Sequence, residues 1–304
     1  MKKIIVRLGN GLGNQLFTYA AAFSFAKKHQ AEIYVDDESG FQKKYKYELH
    51  NFNISAQIIE KKYKFVGTLG KLKRNILKKL KHINKKDYFL VEKVDCEKNT
   101  LFYPEQFDIS FKDRLYFEGY FQSEKYFKDE RKHLLREFSF KENIINESKQ
   151  IVDKIKNCDS VSIHLRQNKF LKIDQVKDFE KKNLKYFENS MKIIKKGVEY
   201  FDSKLKNPVY FVWSNNFHGL EKIFPSDKFI LVKENINKDP AYDLYLMSLC
   251  KHYILSPSTL HYWAAYLCTN ENKICLAPEN VKNESGYYGF SNNKDIKADW
   301  WKII

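Results

Sequence analysis

His164 and Arg166 stand two residues apart at the end of a short apolar run, Val161-Ser-Ile-His-Leu165, which Asp159-Ser160 opens and Gln167-Asn-Lys169 closes. Alternating β-branched and polar residues between such boundaries predict a strand. The spacing of two then puts the imidazole and the guanidinium on one side. Ligands of open α/β sheets bind beyond the carboxyl ends of the strands, and an arginine fork suits phosphate oxygens, so this pair points to an anionic, phosphorylated ligand. Two further strand ends are polar: Ser214-Asn215-Asn216 after Pro208-Val-Tyr-Phe-Val-Trp213, and Ser256-Pro-Ser258-Thr259 before an apolar helix. Ser258 and Thr259 have the chemistry of helix caps. With Arg166 they also have the chemistry of a pyrophosphate site, since a helix start flanked by hydroxyls favours anions. Asp243 opens another helix, where the dipole favours a carboxylate; its functional reading is pairing with the ring nitrogens of a base.

Near the amino end, Ile4-Ile-Val6 begins a buried strand, Gly9-Asn-Gly11-Leu-Gly13 forms a turn, and a helix runs from about Asn14 to Lys28. The glycine spacing is not G-x-G-x-x-G, so NAD is rejected. Gly11 and Gly13 still let a backbone approach a sugar or phosphate, and the helix start at Asn14 directs unpaired N–H groups at whatever lies there. The plainer reading is a tight turn without a ligand. Phe17 and Ala20 to Ala22 read as packing residues, and Ala31 to Val35 as a second strand ending in the acidic cluster Asp36, Asp37 and Glu38.

These positions need a scaffold, and the order of elements supplies one. From about 158 onward strands alternate with helices, which predicts a parallel sheet covered on both faces. The stretch from Lys141 to Lys156 reads as an exposed connecting helix, with the domain boundary near it, giving domains 1–145 and 146–304. The 304 residues, 43% of them hydrophobic, suffice for one large or two ordinary domains. The net charge is +16, yet arginine occurs only six times, so lysine supplies the basicity and each arginine is the more informative residue. Five cysteines without a Cys-x-x-Cys pair argue against a disulfide framework and a zinc site. The amino terminus is too briefly apolar for a signal peptide, and no apolar run reaches the roughly 20 residues of a membrane span, so the expected location is the reduced cytoplasm.

Residues 61–86 hold eleven Lys or Arg and no acid, with Leu69, Leu72, Ile76, Leu80 and Ile83 at steps of three and four. A basic amphipathic helix follows from that pattern. The favoured reading is a packed helix with its lysines in solvent; the alternative is peripheral contact with the inner membrane face.

Taken together, Gly11-Leu-Gly-Asn-Gln-Leu-Phe-Thr-Tyr-Ala20, Gly119-Tyr-Phe-Gln-Ser-Glu-Lys-Tyr-Phe127, His164-Leu-Arg166, and Asp243-Leu-Tyr-Leu-Met-Ser-Leu-Cys250 running into Ser258-Thr-Leu-His-Tyr-Trp-Ala-Ala265 resemble the bacterial α-1,2-fucosyltransferases in order and over nearly the whole chain. The resemblance implies an α/β protein of two Rossmann-like domains facing across a cleft (GT-B type), the amino-terminal one on the acceptor side and the carboxyl-terminal one binding a GDP-sugar. It also implies inversion at the anomeric carbon with no obligatory metal or other cofactor. By the same resemblance His164 and Asp243 contact the guanosine, Arg166 holds the pyrophosphate with Ser258 and Thr259, and Asn14 sits near the reacting centre. The chain departs from the family where His-x-Arg-Arg-Gly-Asp-Tyr becomes His164-Leu-Arg-Gln-Asn-Lys-Phe170 and where Asp-Asp becomes Asn215-Asn216. Those departures leave open another GDP-6-deoxyhexose or a GDP-heptose beside L-fucose.

The expected function is therefore transfer of fucose or a related sugar from GDP to a hydroxyl of a glycan or lipid-linked oligosaccharide. Nucleotide-sugar contacts are expected from His164, Arg166, Gly11, Gly13, Asn215, Asp243, Ser258 and Thr259, and chemistry from Arg166, Asn14 and Asp36, with no metal. The acceptor proton needs a base, and Asp36 and Asp37 are its candidates, with Glu118 behind them. A rival class is a non-catalytic basic protein binding nucleic acid or membrane. The scarcity of arginine and the absence of any nucleic-acid motif count against it.

Overall fold

The computed structural model describes residues 1–41, 45–80, 87–93, 100–146, 149–167, 178–235, 238–278 and 294–304. Expectations for Ile83 and for Asn168 to Phe170 lie outside the described residues. The chain forms two compact units, Met1–Lys141 with Lys294–Ile296, and Glu142–Asn293 with Lys297–Ile304.

Among the described residues, the first unit is built on a sheet of β1 (Lys3–Arg7), β2 (Glu32–Asp36), β3 (Gln57–Ile58), β4 (Asp87–Val91) and β5 (Arg114–Glu118). The order is β3-β2-β1-β5-β4 and every pairing is parallel. Ile4, Ile5 and Val6 are fully buried, the continuous apolar run of a central strand covered on both faces. Helix α1 (Leu12–Lys28) buries Leu16, Phe17 and Ala20 to Ala22 and ends on Lys27 and Lys28, cations that suit its negative pole. Helices α2 (Gly67–Lys79) and α3 (Arg131–Glu137) complete this unit.

The second unit begins with α4 (Glu142–Asn146) and α5 (Lys149–Lys156). The expected exposed connector is thus two packed helices, for Ile144, Ile151, Val152 and Ile155 are buried. Its sheet contains β6 (Asp159–Leu165), β7 (Pro208–Ser214), β8 (Phe229–Leu231), β9 (His252–Ile254), β10 (Cys275–Ala277) and β11 (Trp301–Ile303) in the order β11-β10-β9-β6-β7-β8, again all parallel. Long α6 (Phe179–Lys204), short α7 (Leu220–Ile223), α8 (Pro240–Ser248) and α9 (Thr259–Leu267) connect the strands. Val161, Ile163 and Leu165 of β6 join a core with Ile194 and Phe201 of α6, so Ser160, Ser162 and His164 face the other way.

Candidate nucleotide-sugar site

In the second unit the chain leaves β6 toward β7 and β8, then crosses back to place β9 on the other side of β6. That reversal splays the two following loops apart, and ligands of doubly wound sheets bind in the crevice so formed. Arg166 follows β6 there, and Ser256 to Ser258 follow β9.

His164 is buried near the end of β6, and its Nδ1 is a buried atom without a hydrogen-bond partner among the described residues. Burial first, and the Arg166 charge second, push its pKa down to about 3. The ring is therefore neutral at physiological pH, with one nitrogen unspent. Arg166 is half-buried and makes no ion pair or hydrogen bond among the described residues. Its charge acts on both His164 and Tyr186 of α6, and the Tyr186 hydroxyl donates to the Pro257 carbonyl at 3.0 Å. Among the described residues that guanidinium is uncommitted, and it acts on the tyrosine that holds the β9–α9 loop.

That loop is held from both sides. Ser258 caps α9, its Oγ accepting the His261 backbone N–H at 3.4 Å. The His261 ring accepts the Ser256 N–H on Nδ1 at 3.4 Å, which leaves Nε2–H to donate to Ser162 Oγ on β6 at 3.0 Å. Burial, then His164, push the His261 pKa well below its usual value, so this tautomer is not disturbed by protonation. Ser256 Oγ is buried without a partner, and Thr259 at the first position of α9 is half-buried.

Asp243 lies in the first turn of α8, which packs against α9. Asn235 donates its amide to Asp243 Oδ1 at 3.0 Å while its own Oδ1 is buried and unpartnered. Burial chiefly raises the Asp243 pKa, to about 6, with Glu234 adding to it and the Asn235 bond opposing it. A carboxylate and a carbonyl oxygen side by side match two N–H donors on one edge of a base. Asn215 is exposed, and its Oδ1 accepts the Gln167 backbone N–H at 3.0 Å. Gln167 also donates its side-chain amide to the Asn216 and His218 carbonyls at 2.8 and 3.0 Å.

Gly11, Gly13 and Asn14 belong to the first unit and follow β1, at the corresponding reversal between β1 and β5, whereas Asp36 of the same unit closes β2, on the side of β1 away from β5. Gly11 is the N-cap residue of α1 and Gly13 lies buried in its first turn. Gly9 is glycine for a packing reason, since a Cβ there would stand 2.6 Å from the Gly40 carbonyl oxygen. Gln15 is fully buried and ties this loop down, donating to the Asn10 and Lys46 carbonyls at 2.9 Å each and accepting the Glu48 N–H at 2.9 Å. Asn14 is half-buried, and its Oδ1 accepts the Gln122 amide at 2.6 Å.

The turn after β5 carries Gln122. Thr18 donates to the Gly119 carbonyl at 2.9 Å, and Glu92 accepts the N–H groups of Tyr120 and Phe121 at 2.6 and 2.8 Å. Gly119 has φ +152°, and a Cβ on it would collide with Glu92 at 2.3 Å. Burial raises the Glu92 pKa to about 7, against the pull of its two N–H donors. Asp36 is buried and holds its own turn, accepting from the Glu38 and Ser39 N–H groups and the Ser39 hydroxyl. Asp37 pairs with Lys64 at 2.5 Å, and Glu118 is paired with Arg74 through both oxygens and with Lys78.

His261, Asn235, Tyr186, Gln15 and Glu92 were not singled out by sequence. Gln15 and His261 carried a signal, their places inside the first and last quoted motifs. Asn235, Tyr186 and Glu92 act through partners outside any local motif, on Asp243, Pro257 and the Tyr120–Phe121 turn.

The Glycosyl transferase family 11 pattern matches residues 2–304. The chain belongs to this family. Family 11 membership agrees with the bacterial α-1,2-fucosyltransferase resemblance. The chain is 27% identical over 287 residues to an α-1,2-colitosyltransferase of Escherichia coli, covering 91% of this chain and 92% of that one. It is 26% identical to the O-antigen biosynthesis glycosyltransferase WbnK of Escherichia coli over 97% of this chain and 98% of the relative. Among solved structures it resembles a mutant form of Arabidopsis thaliana FUT1 in complex with GDP, with a TM-score of 0.59, 13% identity, and coverage of 98% of this chain and 74% of that one. Fucosyltransferase NodZ from Bradyrhizobium gives a TM-score of 0.54 at 13% identity, covering 87% of this chain and 91% of that one. These structural likenesses support the parallel α/β fold of a family 11 glycosyltransferase.

Proposed function

We propose that this family 11 member transfers L-fucose from GDP to a hydroxyl of a surface-glycan precursor, with inversion at the anomeric carbon. The observation that carries the reading is the uncommitted Arg166 guanidinium beside the Ser256–Thr259 loop at the reversal of the second sheet. Departure of GDP builds negative charge on its β-phosphate. Preorganised donors stabilise such charge at no reorganisation cost, and Arg166 with the amino end of α9 are such donors.

In this reading the second unit binds the donor. Asp243 and the Asn235 carbonyl oxygen take the N–H donors of guanine, neutral His164 offers Nδ1 to the nucleoside, and Asn215 borders the site through Gln167. The first unit binds the acceptor around Gly11, Gly13 and Asn14. Asp36, Asp37 and Glu118 are each spent on turns or ion pairs; Glu92 also braces a turn, through the N–H groups of Tyr120 and Phe121, but burial holds it near neutral pH. A carboxylate so poised suits the general base, for catalytic pKa values work best near the operating pH. The likeness to a colitosyltransferase favours, as a second reading, a colitosyl group on the same nucleotide.

A panel of GDP-sugars and UDP-sugars, scored by thermal protection and by transfer to oligosaccharide acceptors, tests both readings. GDP is expected to raise the melting temperature, since a ligand bound only by the native state stabilises it. Protection by UDP and indifference to GDP would end the proposal; turnover of the colitosyl donor alone would select the second reading.

A further inference from the structure

Helix α2 carries an apolar row turned away from the unit it belongs to. Leu77 packs inward against the cluster of Phe65, Phe89 and Tyr116, and Arg74 and Lys78 reach Glu118 at the end of β5. On the opposite face Leu69 is 83% exposed, Leu72 57%, Ile76 48% and Leu80 40%. Steps of three and four residues align these four along one stripe. The expectation of a helix packed through this row with only its lysines in solvent is therefore reversed. The inward face is set by Leu77 and by the Arg74 and Lys78 contacts with Glu118, a carboxylate 40 or more residues away that no local pattern announces.

Lys73 and Lys79 flank the stripe, Lys61 stands exposed in the preceding turn, and residues 61–80 contain no acid. An occupant must therefore be apolar within and negative at its rim. A second copy of this chain fails that requirement, because it would set lysine against lysine on a protein of net charge +16. An anionic bilayer meets it: apolar side chains enter the acyl boundary while the lysines remain among the headgroups.

We propose that α2 docks the first unit on an anionic lipid bilayer, with Leu69, Leu72, Ile76 and Leu80 inserted at the interface and Lys61, Lys73 and Lys79 paired with lipid phosphates. The helix lies in the plane of the surface; among the described residues no helix is long and apolar enough to cross a membrane. Its ion pairs with Glu118 couple the docked face to the strand that leads into the Gly119 turn, so a lipid-borne acceptor would meet the edge carrying Asn14. The docking surface stands without the transferase reading.

Cosedimentation of the full chain with vesicles tests it, using phosphatidylcholine alone or with about one-third phosphatidylglycerol. Binding is expected only with the anionic lipid, weakening as salt screens the headgroups. Leu72→Asp with Ile76→Asp should weaken binding about tenfold or more, and Lys73→Glu with Lys79→Glu by about fivefold per charge. Melting temperature and turnover on a soluble acceptor should not change; if the double variant is unstable, Leu69→Asp, at the most exposed position, replaces it. Equal binding to neutral vesicles, undiminished binding of the aspartate variants, or self-association that these variants dissolve would each overturn the proposal.

Discussion

Gln167 and Asn215 are hydrogen-bonded to each other, the backbone N–H of the first donating to the side-chain oxygen of the second at 3.0 Å. Both stand where the chain departs from the pattern of the fucosyltransferases it resembles, an arginine having given way to Gln167 and an aspartate to Asn215. The Gln167 side chain meanwhile bonds the Asn216 and His218 carbonyls, so the two departures meet in one loop contact. Gln167→Arg and Asn215→Asp made together are expected to exceed the sum of the single variants in stability by on the order of 1 kcal/mol, read from denaturation in a double-mutant cycle. Strict additivity would show the positions to be independent.

Arg166→Lys is expected to lose transfer nearly as fully as Arg166→Ala. A lysine keeps the charge but not the fork that addresses two phosphate oxygens at once. Removing one such donor costs roughly 100- to 1000-fold in kcat. Because Arg166 supports no other described residue, the melting temperature of either variant should remain that of the parent protein.

Affinity for GDP should fall as the solution is acidified below about pH 6. The Asp243 carboxyl, raised to about 6 by burial, must be ionised to accept a base N–H, so each pH unit below that value weakens binding by about tenfold. His164, already neutral down to about 3, does not contribute to this slope. Titration calorimetry from pH 4.5 to 8 measures it, and Asp243→Asn should bind weakly with a flat profile.

Glu92 links stability to pH in the opposite sense from an ion-paired acid. Its folded pKa of about 7 exceeds the ordinary 4.5, so the folded state holds a proton that the unfolded state has released between those values. Stability therefore declines as pH rises through this window, by on the order of 2 kcal/mol from this residue. Glu92→Gln should remove that decline in melting experiments, and should also lower kcat if Glu92 is the base. Loss of kcat without a change in the pH dependence of melting would contradict the burial account.

His261→Phe fills the same space but takes the ring acceptor from the buried Ser256 N–H and the ring donor from the buried Ser162 hydroxyl. Each costs about 1–3 kcal/mol, so the variant should melt markedly lower and protect poorly with GDP. An unchanged melting temperature would show that the loop does not depend on this bridge.

The central strands and their polar ends were legible because apolar alternation and turn residues are local signals. So β6 with His164 and Arg166, and the capped start of α9 at Ser258, follow from sequence alone. Strand β4 and the two- and three-residue strands β3 and β11 are too short or too weakly bounded to announce themselves. Asp36 was read as a candidate base from its place at a strand end, yet Ser39 three residues on is a turn partner that the spacing already offered. His261 stands in the quoted Ser258–Ala265 run without a local sign of its role. Its part becomes visible only when β6 and α9 are adjacent, since Ser162 is its partner.

Asp295 belongs to the first unit although the whole of Glu142–Asn293 precedes it in the chain. Its carboxylate accepts the N–H groups of Leu101 and Phe102 at 2.9 and 3.2 Å and pairs with Lys125 at 2.8 Å. A ribosome making this protein from its amino end releases the first unit long before that carboxylate exists. Until then the N–H groups of Leu101 and Phe102 lack this acceptor, and the amino-terminal half waits, incompletely closed, for a residue translated after the whole of Glu142–Asn293.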